Sequence, residues 1–239
     1  MTNCLAGRIN GKQKAIGFIL LFPMYLFIVP RFVNFVIYLL LKYTSITHDL
    51  TTLGIYLNLA CSLISFAFAV VLLKDFLIEN IKKFKEELST NILYSATIGI
   101  GMIYVVSIIS NTIINLILGG SSNDSANQLL FESYLNKDLI FMFIQSVILA
   151  PVLEELLFRG SLRSINRNLA FFASAFLFGF LHIYSALFAG DLTQLVYLLS
   201  YGGMGFVFTY TYEKRKTICV PMLIHMINNL VAVLVLVLV

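Results

Sequence analysis

Residues 151–160 read PVLEELLFRG, which places two neighbouring carboxylates inside a long apolar run. A charged side chain at the centre of a membrane-spanning helix costs roughly 2.5–3.5 kcal/mol on insertion scales. Because Glu154 and Glu155 are costly at this position, they indicate a functional site. Arg159 follows one helical turn later. We expect these three residues to belong to a functional site whose remaining members lie on other helices.

The composition predicts a membrane protein. The chain has 239 residues, of which 59% are hydrophobic and only 12% are charged. Such a chain has too much apolar surface for an ordinary soluble core, so soluble classes are excluded. The length suits one compact bundle, and no polar block is long enough to form a second, soluble domain. The predicted fold class is all-α, a polytopic bundle of transmembrane helices.

Hydropathy predicts about seven membrane spans. Each is close to the ~20 residues that a helix needs to cross a bilayer. The first hydrophobic run contains Pro23, Pro30 and Arg31, so a kinked or partly interfacial start remains an alternative to a single span. The predicted spans cover residues 15–41, 52–73, 92–118, 139–158, 169–188, 192–212 and 217–239.

The positions of lysine and arginine predict the orientation. The N-terminus and residues 74–87, 159–167 and 213–216 together hold 13 of the 16 basic residues. The connections on the opposite side hold only Lys42 and Lys137. By the positive-inside rule, the N-terminus is expected in the cytoplasm and the C-terminus outside, in an integral protein of the cell membrane.

Two histidines lie inside predicted spans and are candidate partners of the glutamates. Phe178 and His182 are four residues apart and share a helix face. His225 and Asn229 share a face in the same way, and we expect Asn228 to point elsewhere. Three successive helices thus offer a carboxylate, an imidazole, and an imidazole with an amide.

Helix rise gives the expected depth of these groups. At 1.5 Å per residue, Glu154 lies about 7 Å from Arg159, and His225 lies about 13 Å from Lys216. Both fall in the cytoplasmic half, so we expect an active site toward the cytoplasmic side. His182 lies about 22 Å from Arg167, deeper than its partners, unless its helix tilts or begins later.

Two prolines precede the candidate site residues by one turn. Pro151 stands before Glu154, and Pro221 stands before His225. A proline removes a backbone donor and frees the carbonyl four residues earlier, which predicts kinks and water-accessible backbone near the site. The alternative is that both prolines only bend their helices.

These groups suit hydrolysis. A glutamate held in a low-dielectric pocket can act as a general base toward water, with an imidazole sharing the proton transfer. A second histidine and an amide can donate hydrogen bonds to an oxyanion. Ligation of a divalent metal such as zinc by Glu154, His182 and His225 remains an alternative use of these atoms. However, no His-Glu-x-x-His motif is present.

The three motifs, in this order on successive helices, resemble the CPBP family of intramembrane proteases. They are Glu154-Glu155-x-x-x-Arg159, Phe178-x-x-x-His182 and His225-x-x-x-Asn229. The family, also called Abi, includes CAAX prenyl endopeptidases and bacterial proteins tied to bacteriocin processing or self-immunity. The resemblance covers residues 146–231. It implies a protease core at 138–239, preceded by transmembrane helices without motifs at 1–137, in one integrated membrane domain.

The resemblance also implies a role for each residue. Glu154 corresponds to the base that activates water and His182 to its assistant, while His225 and Asn229 correspond to the pair that stabilises the oxyanion. Glu155 and Arg159 are implied to be supporting groups, and Phe178 a packing residue. The expected partners are the lipid bilayer and a peptide or membrane-protein substrate, lipidated or not, and no nucleic acid. The resemblance leaves metal dependence open.

Two other functions remain as alternatives. A proton-coupled transporter could use the same glutamate and histidines as a relay, but such folds are expected to show matched halves or inverted repeats, which the sequence lacks. A non-catalytic membrane adaptor or immunity protein could keep the fold and act by binding.

Overall fold

The computed structural model describes residues 20–43, 50–120, 124–161 and 167–238. These residues are helical with short connections, and none of them lies in a β-strand. Seven of the helices are long and apolar enough to cross a membrane. The predicted all-α membrane bundle and the number of spans are therefore confirmed.

Nine helices make up the described part of the chain, and all but α3 and α5 are spanning helices. In α1 the helix is long enough for one span, and residues 15–19 of the predicted first span lie outside the described residues. The helices are α1 Met24–Tyr43, α2 Leu50–Leu72, α3 Lys74–Glu86, α4 Leu88–Ile117, α5 Ala126–Leu135, α6 Leu139–Ser161, α7 Arg167–Phe188, α8 Leu192–Arg215 and α9 Cys219–Leu238.

Helix α6 occupies the centre of the bundle. In the most apolar 18-residue stretch of α6, 56% of the residues are buried inside the protein. The corresponding share is 11–33% in the other six spans. The outer spans instead expose large apolar side chains, such as Val71 and Leu116, as expected of surfaces that face lipid. The glutamates of α6 therefore lie in the protein interior and not at the lipid boundary.

One end of the bundle, which we call the basic end, comprises α3 and the turn between α8 and α9 at residues 216–218. Hydrogen bonds tie its parts together. Ile218 N–H donates to Asn80 Oδ1 and Thr217 Oγ1 donates to the Asn80 carbonyl, both at 2.8 Å. Arg215 Nε donates to Asn91 Oδ1 at 2.8 Å. The buried Asn80 thus clamps α3 to the start of α9.

The opposite end, which we call the α5 end, comprises α5 and the turn between α7 and α8 at residues 189–191. The side chain of Ser125 caps α5 by accepting the N–H of Gln128, and it lies 2.6 Å from the hydroxyl of Tyr201. Ala126 N–H donates to Gln194 Oε1 at 3.0 Å. The first turns of α5 are therefore fastened to the start of α8.

Small residues let α7 and α8 pack closely. A Cβ atom built on Gly179 would lie 2.7 Å from the backbone nitrogen of Gly202. A Cβ atom on Gly205 would lie 3.0 Å from both the Ala175 carbonyl oxygen and Phe178 Cβ. Close helix contact of this kind is typical of membrane bundles, where small residues allow backbones to approach. Here it sets the positions of Phe178 and, one turn later, His182.

We predict that Gly179→Ala destabilises the protein by about 1–3 kcal/mol, because the added methyl group must push α7 away from the backbone of α8. Thermal unfolding of the purified protein in detergent measures this. Gly101→Ala is the matched control, since Gly101 is exposed and has no atom within 4 Å of an added Cβ. Equal melting temperatures for the two variants would contradict the close-packing argument.

Candidate active site

Helix α6 is irregular on both sides of the two glutamates. A π-helical segment Ile144–Leu149 precedes the α-helical turn Ala150–Glu155, and a second π-helical segment Leu156–Ser161 follows. Short π-helical segments within α-helices often occur at functional sites. Glu154 is 6% exposed and Glu155 is completely buried.

The first π-helical segment explains how Pro151 affects the site. In this register Ala150 N–H donates to the Gln145 carbonyl, five residues back. The next donor in the same register would be residue 151, but proline has no N–H, so the Ser146 carbonyl loses its helical donor. Asn229 Nδ2 of α9 donates to this carbonyl at 2.8 Å. The predicted effect of Pro151 on a carbonyl four residues back is thus shifted by one residue.

The buried ion pair of Glu155 and Arg159 lies beneath the site. Arg159 Nη1 lies 3.0 Å from Glu155 Oε1, and both side chains are fully buried. Arg159 Nη2 donates to the Gly205 carbonyl of α8 at 2.7 Å. The guanidinium also lies 5.2 Å from the centre of the Phe178 ring and 5.4 Å from that of Phe208. The arginine therefore joins α6, α7 and α8.

His225 lies between the two glutamates. Its Nδ1 atom is 3.4 Å from Glu155 Oε1, and its Nε2 atom is 4.0 Å from Glu154 Oε2. The imidazole stacks on Phe208, with ring centres 4.6 Å apart. The order Arg159–Glu155–His225–Glu154 is a chain of neighbouring charged or chargeable groups. His225 is held in it by ring stacking and by proximity to the two carboxylates, since its Nδ1 atom has no hydrogen-bond partner among the described residues.

His182 is held by its own helix and by Tyr201. Its Nδ1 atom lies 2.8 Å from the Phe178 carbonyl, which can only accept, so Nδ1 carries a proton. In the neutral ring Nε2 is then the free acceptor. The imidazole also stacks on Tyr201 with ring centres 4.5 Å apart. Tyr201 thus links His182 to Ser125 at the start of α5.

A cavity of about 300 Å³ brings the predicted residues together. Glu154, His182, His225 and Asn229 all line it, whereas helix rise alone predicts a deeper position for His182 than for its partners. Glu155 and Arg159 are not among its lining residues. The six predicted residues thus divide into four that face the cavity and two that are buried behind it.

The cavity has other lining residues that the sequence motifs did not indicate. Asn228 was expected to point elsewhere, but it lines the cavity with its Nδ2 atom 3.3 Å from Asn229 Oδ1. The reason is that residues three apart, such as 225 and 228, also share a helix face. Asn58 and Gln145 are amides inside apolar spans, which is the signal that could have identified them.

The arrangement does not fit the metal alternative. Within the described residues, no three His, Cys, Asp or Glu side chains are grouped so that they could hold a metal ion. The steps proposed below therefore use only side chains of this protein and water.

We predict that Arg159→Ala destabilises the protein by about 3–5 kcal/mol, because it leaves the Glu155 carboxylate buried without its cation. Thermal unfolding and the yield of folded protein in detergent measure this. Glu87→Ala is the control, since it removes an ion pair with Arg215 in which the glutamate is 62% exposed. Such surface pairs contribute only about 0–1 kcal/mol. Similar losses for both variants would contradict the proposed role of the buried pair.

Comparison with known proteins places the site within a recognised family region. Residues 136–231 match the family model described as type II CAAX prenyl endopeptidase Rce1-like. This region contains the three motifs and the residues from α6, α7, α8 and α9 that line the cavity from position 142 to position 229.

Two curated relatives extend this result. The chain is 28% identical over 192 residues to "Membrane-embedded CAAX protease MroQ" of Staphylococcus aureus (strain USA300), covering 76% of this chain and 73% of the relative. It is 36% identical over 93 residues to "Putative membrane peptidase YdiL" of Bacillus subtilis (strain 168), covering 37% of this chain and 34% of the relative. No solved structure matches significantly. Residues 136–231 are thus similar to the Rce1-like CAAX protease family, and the relatives with matching regions are named as membrane peptidases.

Proposed function

We propose that this protein is an intramembrane endopeptidase that hydrolyses a peptide bond with a water molecule activated by Glu154. One observation carries the proposal. A carboxylate, two imidazoles and an amide, namely Glu154, His182, His225 and Asn229, line one cavity inside a membrane bundle. The similarity of residues 136–231 to the Rce1-like CAAX protease family supports a membrane peptidase, and the steps below are the mechanism that this geometry favours.

Glu154 is the proposed general base. Its Oε2 atom is buried and has no hydrogen-bond partner among the described residues. A buried acceptor without a protein partner is able to accept a hydrogen bond from a water molecule that enters the cavity. Glu154 takes a proton from this water as its oxygen attacks the carbonyl carbon of the peptide bond. His182 Nε2 is a second acceptor for protons in the same cavity.

His225 and Asn229 are the proposed donors to the oxyanion that forms in this step. Asn229 uses one amide N–H to bind the Ser146 carbonyl, and its second N–H remains available. As an imidazolium, His225 has Nδ1–H facing Glu155 and Nε2–H on the side of Glu154. Donors fixed in this way before the reaction stabilise a developing oxyanion without further reorganisation.

Collapse of the tetrahedral intermediate completes the reaction. The carbon–nitrogen bond breaks, and the proton held by Glu154 passes to the leaving amine. One product carries a new carboxyl group with the oxygen of the water, and the other carries a new amino group. Glu155 and Arg159 do not touch the substrate in this mechanism, and they act by holding the His225 ring.

The proposed substrate is a peptide or a membrane protein. A lipidated substrate is one form of it, because the family model that matches residues 136–231 is described as a CAAX prenyl endopeptidase. Cleavage of a peptide in bacteriocin processing or self-immunity is an equal proposal, because it requires the same hydrolytic site. A binding protein without catalysis is the alternative that the following experiment tests.

We predict that Glu154→Gln abolishes cleavage, because the amide cannot accept the proton of water. The measurement compares the peptide termini of membrane proteins in cells that express the wild type or the variant at matched levels. Termini that appear only with the wild type are expected. Glu86→Gln, on the exposed surface of α3, is the matched control and should behave like the wild type.

Identical termini with the wild type and Glu154→Gln would contradict the proposed hydrolysis and favour the binding function.

The same assay distinguishes the residues that line the cavity from the buried ion pair behind it. His225→Ala should abolish cleavage with membrane insertion intact. Glu155→Ala should reduce cleavage in part, because Glu155 does not line the cavity but its loss leaves Arg159 buried without its anion.

A further inference from the structure

A second cavity, of about 670 Å³, adjoins the cavity that contains Glu154. Both cavities lie along α5, and they share the lining residues Tyr25, Asn58, Asn127, Glu154 and His182. The second cavity extends to Gly54 near the start of α2 and to Ala189 after the end of α7. Both of these positions lie at the α5 end of the bundle.

The lining residues stop well short of the basic end. In α6 the last of them is Glu154, which lies seven residues before Ser161, the end of that helix. This is about 10 Å of helix. In this part of α6, all residues from Leu156 to Ser161 are buried. The space is therefore deep when entered from the α5 end, and packed side chains close it from the basic end.

Hydrogen bonds and apolar packing reinforce this closure. Asn80 joins α3 to Thr217 and Ile218, and these residues are completely buried. Phe76 of α3 and Tyr212 of α8 belong to the same buried apolar cluster as Phe158, just beyond the glutamates. Among the described residues, the buried apolar clusters toward the α5 end, which include Leu135, Met142 and Tyr197, are smaller, and the two cavities lie beside them.

The charges of the two ends predict which one faces the cytoplasm. The described basic residues in or next to the basic end are Lys74, Lys82, Lys83, Lys85, Arg159, Arg167, Lys214, Arg215 and Lys216. Among the described residues, only Lys42 and Lys137 lie in or next to the α5 end. Lysine and arginine in short connections favour the cytoplasmic side. The cavity therefore opens toward the side away from the cytoplasm, although Glu154 itself lies nearer the basic end.

From these observations we propose that substrate enters from the extracytoplasmic face, along α5. The substrate class is then a peptide segment on the outer side of the membrane. Examples are part of an exported peptide and the outer portion of a membrane protein. This differs from the cytoplasmic access that helix depth alone predicts. The proposal names the substrate side for the hydrolysis proposed above and rests on it, but its test is independent of activity.

Cys61 is a natural probe for the entrance because it lines the second cavity together with Glu154 and His182. The experiment uses the full-length chain with Cys4→Ser and Cys219→Ser, which leaves Cys61 as the only thiol. A charged maleimide that cannot cross membranes is added either to intact protoplasts or to inverted membrane vesicles. Labelling of Cys61 from the outside of protoplasts is the expected result.

Two single-cysteine variants without native cysteines calibrate the sides. Ser133→Cys on α5 should label in protoplasts, and Lys85→Cys on α3 should label only in inverted vesicles, since both positions are exposed. Asn127→Cys, at the exposed start of α5, provides a second cavity probe and should follow Cys61.

Labelling of Cys61 and Asn127→Cys only in inverted vesicles, or from neither side, overturns the proposed entrance. Such a result leaves the comparison of Glu154→Gln with the wild type unaffected. Conversely, outside labelling together with unchanged peptide termini supports the entrance and contradicts the hydrolysis. The failures of the two proposals are thus distinguishable.

Discussion

The buried ion pair of Arg159 and Glu155 is the interaction on which the rest of the site depends. Two charges without exposure to solvent are costly in a membrane bundle, and their attraction offsets that cost only if the remaining hydrogen-bonding atoms also find partners. Arg159 meets this condition in part through the Gly205 carbonyl. Glu155 meets it in part through its approach to His225. The pair therefore requires α6, α8 and α9 to be in fixed positions.

The remaining structure around α6 follows from this requirement. Gly205 can offer its carbonyl to Arg159 because it has no side chain at the contact between α7 and α8. The same close contact places Phe178 beside the guanidinium and His182 one turn further along. Pro151 adds a second constraint, because the Ser146 carbonyl that it leaves free binds Asn229. Arg159 and Pro151, both on α6, thus orient side chains and backbone groups of the neighbouring helices.

The sequence predicted the spans and grouped the site residues, because charged and polar side chains in apolar helices are costly and therefore conspicuous. Helix periodicity was sufficient to pair His225 with Asn229. It failed for Asn228, whose position three residues from His225 also faces the cavity. Other features depend on tertiary structure. The π-helical register changes which carbonyl Pro151 leaves without a donor. The position of α5 beside the cavity depends on the contact of Ser125 with Tyr201. Neither has a local sequence signal.

The most direct test of this account is an experimental structure of the Glu154→Gln variant with a trapped substrate peptide. The account predicts that the peptide lies in the cavity beside α5, with the carbonyl of the bond to be cleaved within hydrogen-bonding distance of His225 and Asn229. It also predicts that Arg159 remains bound to Glu155, without contact to the peptide. A peptide bound elsewhere on the bundle, or one whose carbonyl contacts Arg159, would contradict the proposed division between the cavity residues and the buried ion pair.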